Sequence, residues 1–268
     1  MKSILATLNA ILARARIMTS VGTHNRSDRE AWLERTLKQI PAGSRILDAG
    51  AGEQQYKRFC KHLNYIAQDF AQYDGKGDGR GLQRGSWDQS KLDIISDITS
   101  IPAPDASFDA IMCVEVFEHL PEPLKALQEF KRLLRPGGYL IITAPFCSLT
   151  HFAPYHFYTG YNRYFYEKHL PAHDFEIIEL KANGNYFEYL AQEIRRLQWT
   201  AQCYAMRHRL SALDWLAINK CLSLLGSLSK NDCGSAELLS FGYHVLAKKR
   251  QNDVSRIVET IRKHPIDV

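Results

Sequence analysis

The stretch Arg45-Ile46-Leu47-Asp48-Ala49-Gly50-Ala51-Gly52-Glu53-Gln54-Gln55 joins a short apolar, β-forming run to a turn carrying two glycines. The glycines permit a tight turn and let a ligand approach the backbone closely. Outward from it, Asn64 to Gln68, Leu92 to Ser96, Phe108 to Val114 and Tyr139 to Thr143 read as buried strands. Pro123 to Leu134 reads as a helix with Leu124, Leu127, Phe130, Leu133 and Leu134 on one side, stopped by Pro136-Gly137-Gly138. Such alternation predicts parallel strands joined by crossover helices. With Phe175 to Leu180 and Phe241 to Ala247 as two further strands, the expected fold is α/β: a doubly wound, mainly parallel, seven-stranded sheet with a helical insertion before the last strand. A ligand on such a sheet lies at the carboxyl ends of the strands, where the strand order reverses.

The flanking segments read differently. Ile4, Leu5, Leu8, Ile11, Leu12 and Met18 recur at helical spacing beside Lys2, Arg14 and Arg16, a basic amphipathic pattern. That pattern suits a helix packed on the body or closing its pocket, with a peripheral membrane contact as the lesser alternative. Ser27 and Glu30 fit a capping box opening a helix that runs to about Leu37. The expected organisation is a helical cap over 1–40, an α/β ligand-binding core over 41–184, a helical insertion over 185–240, and a last strand and tail over 241–268, the tail again amphipathic.

Composition narrows the function classes. The chain has 268 residues and a formal charge of +5, yet its 34 basic and 29 acidic residues are interleaved. Nucleic-acid binding, which needs a clustered basic face, is therefore not expected. Six scattered cysteines with no CxxC pair signal neither a zinc knuckle nor a redox dithiol. No apolar run approaches the roughly 20 residues of a membrane span. The reading is a cytoplasmic protein, with the inner membrane face as an alternative seat.

The turn itself discriminates between ligands. A dinucleotide fingerprint requires a third glycine where Gln55 stands, and Glu53 sets a negative charge where a pyrophosphate wants a helix N-terminus. In Ile46 to Gly52 the chain resembles the first motif of class I methyltransferases dependent on S-adenosylmethionine (SAM), the small-molecule type. The resemblance extends in order and spacing over roughly Arg45 to Phe146. It implies the Rossmann-like methyltransferase fold, SAM as cofactor, and a site built from Asp48, Gly50 and Gly52, from Asp69 and Phe70 at the ribose, from Asp97 and Ile98 at the adenine, and from Glu115 beside the methyl-transfer position. Many relatives carry glycine at the position of Glu53, so the loop departs there from the pattern. SAM has a cationic sulfonium and no phosphate, so carboxylates around it are favourable.

Methyl transfer needs alignment, and a hydroxyl acceptor also needs its proton removed. His119, just beyond the fourth strand, is one candidate base; His151 and His156, in the aromatic stretch His151 to Tyr158, are two more, with Tyr155 and Arg163 as hydrogen-bonding groups. That stretch loosely resembles methyltransferases of cell-surface saccharide synthesis, implying a saccharide-related or other small-molecule acceptor. A quinone or lipid-like acceptor, or a SAM-binding regulatory subunit without turnover, are the alternatives. The spacing of His151, His156, His169 and His173 matches no metal-ligand pattern, so no metal is expected. Glu115-Val116-Phe117-Glu118 is not the Asn/Asp-Pro-Pro-aromatic motif of nucleic-acid amino-methyltransferases, which favours oxygen methylation.

Overall fold

The computed structural model describes residues 19–205 and 209–251. The amphipathic patterns at the two termini lie outside the described residues. The elements in chain order are α1 (Asn25–Leu37), β1 (Arg45–Ala49), β2 (Asn64–Asp69), β3 (Ile94–Ile95), β4 (Phe108–Val114), α2 (Pro123–Leu133), β5 (Leu134–Pro145), α3 (Arg163–Ala172), β6 (Phe175–Asn183), α4 (Tyr186–Tyr204), α5 (Ala212–Lys230) and β7 (Gly242–Lys249).

The strands form one seven-stranded sheet in the order β3-β2-β1-β4-β5-β7-β6. All pairings are parallel except those of β7, which is antiparallel to both neighbours. β1 and β4 are buried almost throughout because both of their faces are covered, as in central parallel strands. On one face α1 sets Trp32, Leu33 and Leu37 against Ile46, Met112, Ile141 and Leu246. On the other, α2 sets Ala126, Leu127, Phe130 and Leu133 against Phe108, Ile111, Leu140 and Ile142, with Tyr166 and Leu170 of α3 completing the layer. The first helix is thus a core layer over one face of the sheet.

Several local expectations are corrected. The connections from β1 to β2, β2 to β3 and β3 to β4 contain no α-helix; the first holds only a three-residue 3₁₀ turn, Lys57–Phe59, so α2 is the one α-helical crossover between adjacent parallel strands among the described residues. β3 shrinks to two residues because the Asp93 carboxylate, rather than a backbone carbonyl, accepts from the Ala67 N–H (2.8 Å). The capping box at Ser27 does not form: α1 opens after His24, Ser27 Oγ donates to the His24 carbonyl, and Glu30 pairs with Arg26 and Arg58. A capping box does open α5, where Ser211 and Asp214 satisfy each other's backbone N–H.

The helical insertion is an antiparallel excursion. Asn183 and Gly242 face each other across β6 and β7, and the chain between them makes α4 and α5. These two helices bury Ala191, Ile218, Leu222 and Leu225 in a small core of their own, closed by Val21. Residues 19–22 are strapped to α4: the Arg195 guanidinium donates to the carbonyls of Val21 (2.7 Å) and Thr19, and the Gly22 N–H donates to Glu188 (2.6 Å). None of the described helices is long and apolar enough to cross a membrane.

Candidate active site

The strand order reverses between β1 and β4, and a deep cleft opens there, at the carboxyl ends of the strands. Its volume is about 790 Å³, within the range of small-molecule sites. Asp48, Gly50, Gly52, Asp69, Phe70, Asp97, Ile98 and Glu115 all line this one cavity.

The glycine turn is held by its neighbours. Gly50 has φ +79°, and a β-carbon there would stand 2.5 Å from the Val116 side chain. Gly52 has φ +50° and lies against the Trp87 ring, while its N–H donates to Asp69 Oδ2 (2.9 Å). Asp69 Oδ1 accepts from the Ala71 N–H (3.0 Å), which fixes the carboxylate at the end of β2. Glu53, the departure from the usual loop, turns outward to take Arg84 (3.3 Å) and the Asp88 N–H (3.3 Å), tying down the long loop over 70–93. The left-handed residue after Gly52 is Gln54, at φ +58°. Burial pushes the Asp48 carboxyl up to about 7, the Tyr65 hydroxyl bond opposing and Asp69 adding. Asp97 is exposed and accepts from the Thr99 N–H and hydroxyl, both at 2.8 Å.

Glu115 occupies a left-handed backbone (φ +57°), a costly conformation for a residue with a side chain. One carboxylate oxygen accepts from the Thr143 hydroxyl (2.8 Å) and the other pairs with Arg29 of α1 (2.8 Å). Burial raises its carboxyl, Arg29 pulling down and Glu118 adding. Arg29 was not among the expected site residues. Its signal is a charge on the stripe Arg29, Trp32, Leu33, Thr36, three of which are core positions of α1.

The loop over 146–158 forms the opposite wall, joined to the 70–93 loop by hydrogen bonds between Leu82, Thr150 and Phe152. Leu149, Phe152, Tyr155 and Phe157 face the cavity, and Tyr73, Trp87 and Phe152 pack ring against ring, with centroids 4.7–5.6 Å apart.

His119 and His151 line the cavity; His156 does not. The His156 ring stands behind, 4.8 Å from that of His151, and its Nε2 contacts the Ser148 hydroxyl (3.1 Å). Arg163 is likewise removed from the cavity, engaged by Glu167 and Glu237 on the far side of α3. The structure adds Glu118, whose side chain is 1% exposed and whose Oε1 lies 3.7 Å from the Nε2 of both His119 and His151. A carbonyl can only accept, so each imidazole donates from Nδ1: His119 to Tyr155 O (2.5 Å) and His151 to Leu149 O (2.8 Å). Burial lowers the His119 pKa, Glu118 opposing; burial would also lower that of His151, but Glu118 overrides it and the net shift is upward. For Glu118, burial is outweighed by the two histidines, and its carboxyl lies below the usual value. Sequence reading missed Glu118 as a site residue because only the fold brings His151 to it.

The cleft's electrostatics suit a cation better than a phosphate. Among the described residues six carboxylates line it, and each lining arginine is engaged: Arg26 by Glu30, Arg29 by Glu115, Arg84 by Glu53 and Arg196 by Glu193. No α-helix N-terminus follows the glycine turn to receive a pyrophosphate.

Residues 47–142 match a family model described as a methyltransferase domain. Among curated proteins, the chain is 31% identical over 133 residues to a demethylmenaquinone methyltransferase of Clavibacter sepedonicus, covering 48% of this chain and 51% of that protein. It is 33% identical over 118 residues to a ubiquinone biosynthesis O-methyltransferase of Xylella fastidiosa, covering 41% and 46%. It is 28% identical over 134 residues to a tRNA (carboxymethyluridine(34)-5-O)-methyltransferase of Arabidopsis thaliana, covering 48% and 31%. The matched part thus spans about half, or less, of these relatives' own lengths. Among solved structures, a SAM-dependent methyltransferase from Archaeoglobus fulgidus superposes with a TM-score of 0.50 at 18% identity, over 84% of this chain and 94% of that one. Over residues 47–142 the chain is thus similar to methyltransferase domains, and its sheet has the fold of a SAM-dependent methyltransferase.

Proposed function

We propose that the chain binds SAM in the cleft at the switch point and methylates an oxygen of a small, ring-bearing acceptor of the quinol type. The observation that carries this reading is that one cavity is lined both by the eight expected cofactor residues and by an aromatic wall holding His119 and His151. Bound there, SAM supplies a methyl carbon already activated by its sulfonium. Asp69 is placed to hold ribose hydroxyls, Asp97 and Ile98 border the adenine, and the Arg29–Glu115 pair matches the two charges of the amino-acid end in kind. The 70–93 and 146–158 loops exclude water over the acceptor, and the Glu118–His119–His151 group receives or polarises its hydroxyl.

Leu149, Phe152, Tyr155 and Phe157 favour an aromatic ring, in line with the names of the menaquinone and ubiquinone relatives. A saccharide also stacks on such faces and belongs in the acceptor panel. The paired state of the cleft arginines weighs against a tRNA acceptor, which needs free cations for its phosphates.

The test is calorimetric titration with SAM, S-adenosylhomocysteine and NAD, for wild type and Asp69→Ala. Saturable binding of the first two, weakened at least ~10-fold in the variant through loss of a charge-assisted pair, is expected; NAD binding alone would overturn the cofactor assignment. Release of S-adenosylhomocysteine with a catechol or quinol then separates an enzyme from a subunit that only holds SAM.

A further inference from the structure

Glu118, His119 and His151 come from two segments, the 3₁₀ turn Phe117–His119 after β4 and the loop after β5, and their ligating atoms all lie within 4.8 Å of one another. Three features set this group apart from a buried ion pair. Both imidazoles spend Nδ1–H on backbone carbonyls, which leaves each Nε2 facing Glu118 as the atom that could ligate once deprotonated; ligating histidines are oriented by such bonds. The Nε2 of His119 and the Oε2 of Glu118 are buried and have no hydrogen-bond partner among the described residues. Two donors on one ion at about 2.0–2.2 Å stand at most about 4.4 Å apart. The two 3.7 Å separations from Glu118 Oε1 already satisfy that limit, and a small ring rotation closes the remaining spread. Glu115 is not available as a further ligand, since Arg29 and Thr143 occupy its two oxygens.

We propose that Glu118, His119 and His151 hold a divalent first-row transition ion, in the series from Mn²⁺ to Zn²⁺, on the acceptor wall of the cleft. Two imidazoles and one carboxylate suit these ions better than Mg²⁺, which demands oxygen ligands. The three residues leave coordination positions open to the cavity they line, where an acceptor oxygen would be bound and polarised. The inference rests on the reading of this cavity as a methyl-transfer site, deepening it to acceptors that present an oxygen pair or a single hydroxyl to a metal.

The probe is Mn²⁺, because the exposed thiols of Cys203 and Cys233 would take Zn²⁺ adventitiously and bind Mn²⁺ poorly. Chelator-treated full chain is titrated with Mn²⁺ while the free-ion electron paramagnetic resonance signal is followed. One Mn²⁺ taken up per chain, weakened at least ~10-fold in His151→Ala and in Glu118→Gln and displaced only poorly by Mg²⁺, is the expected result. No saturable uptake by wild type, uptake undiminished in both variants, or tighter binding of Mg²⁺ would each overturn it. Circular dichroism checks folding; if Glu118→Gln does not fold, His151→Ala, on a loop and 20% exposed, decides alone. SAM calorimetry on the same samples keeps the two readings separate: a wild type that binds Mn²⁺ but not SAM refutes the cofactor assignment and retains the metal site, and the reverse result does the opposite.

Discussion

His244, the third residue of β7, has both ring nitrogens buried without a hydrogen-bond partner among the described residues and stacks on Trp32 with centroids 4.9 Å apart. Burial, with the charges of Arg29, Lys181 and Arg35 adding, pushes its pKa from 6.5 down to about 3. The folded chain therefore keeps this ring neutral where the unfolded chain takes up a proton. Stability from it is fully present above about pH 6.5 and is lost as the pH falls towards 3, at a slope approaching 1.4 kcal/mol per pH unit. His244→Phe keeps a stacking ring and removes the titration, so its urea midpoint should change less between about pH 6.5 and pH 5 than that of wild type. Equal slopes in the two proteins would show that the acid sensitivity arises elsewhere. Nothing in the sequence marks His244, because alternation places it on a strand without saying that both faces of that strand are covered. Asp48, Asp69 and Asp97 were legible for the opposite reason: each sits at a strand end, where a carboxylate follows an apolar run.

At the level of elements, the turn after β1 is the part most tightly specified by local chemistry. Gly50 and Gly43 both have positive φ, +79° and +80°, but only Gly50 has a neighbour within contact of an added β-carbon. Alanine at either site carries the left-handed backbone cost of about 1–2 kcal/mol. Gly50→Ala must also displace Val116, so its melting temperature should fall further than that of Gly43→Ala, the pair being compared by thermal denaturation. A fall of the same size in both would mean that Val116 yields freely. The elements read correctly from sequence, β1, β4 and α2 among them, are those whose apolar spacing is unbroken. Those read incorrectly were decided by side-chain hydrogen bonds: Asp93 replaces a ladder carbonyl beside β3, and Ser27 bonds backwards to His24 instead of capping α1.

Across the whole molecule, the α4–α5 excursion stands apart from the sheet. It leaves and returns at the facing residues Asn183 and Gly242, has its own small core, and contributes Gln192 and Arg196 to the rim of the cleft. Replacing residues 186–238 with a short turn should therefore leave the sheet folded, by circular dichroism, and leave SAM affinity within about tenfold, since none of the eight cofactor candidates lies in the insertion. Turnover should fall far more than affinity, because the rim and the strap over 19–22 are lost together. A variant that loses SAM binding and activity in equal measure would instead make the insertion part of the cofactor site.

The sequence by itself determined the sheet, its mainly parallel character and the glycine turn beside which the cleft opens. Apolar runs separated by turn residues admit few topologies, and two glycines after the first strand mark where a backbone is approached closely. Tertiary structure alone decided what surrounds that cleft. Arg29 reaches Glu115 from a helix that precedes the sheet, His151 reaches Glu118 from a loop after β5, and His156 falls behind the wall although it lies in the same aromatic stretch. Spacing along a chain fixes which face of a strand or helix a residue occupies. It does not fix which distant segment closes over that face, because the partner is selected by packing and by the pairing of buried charge.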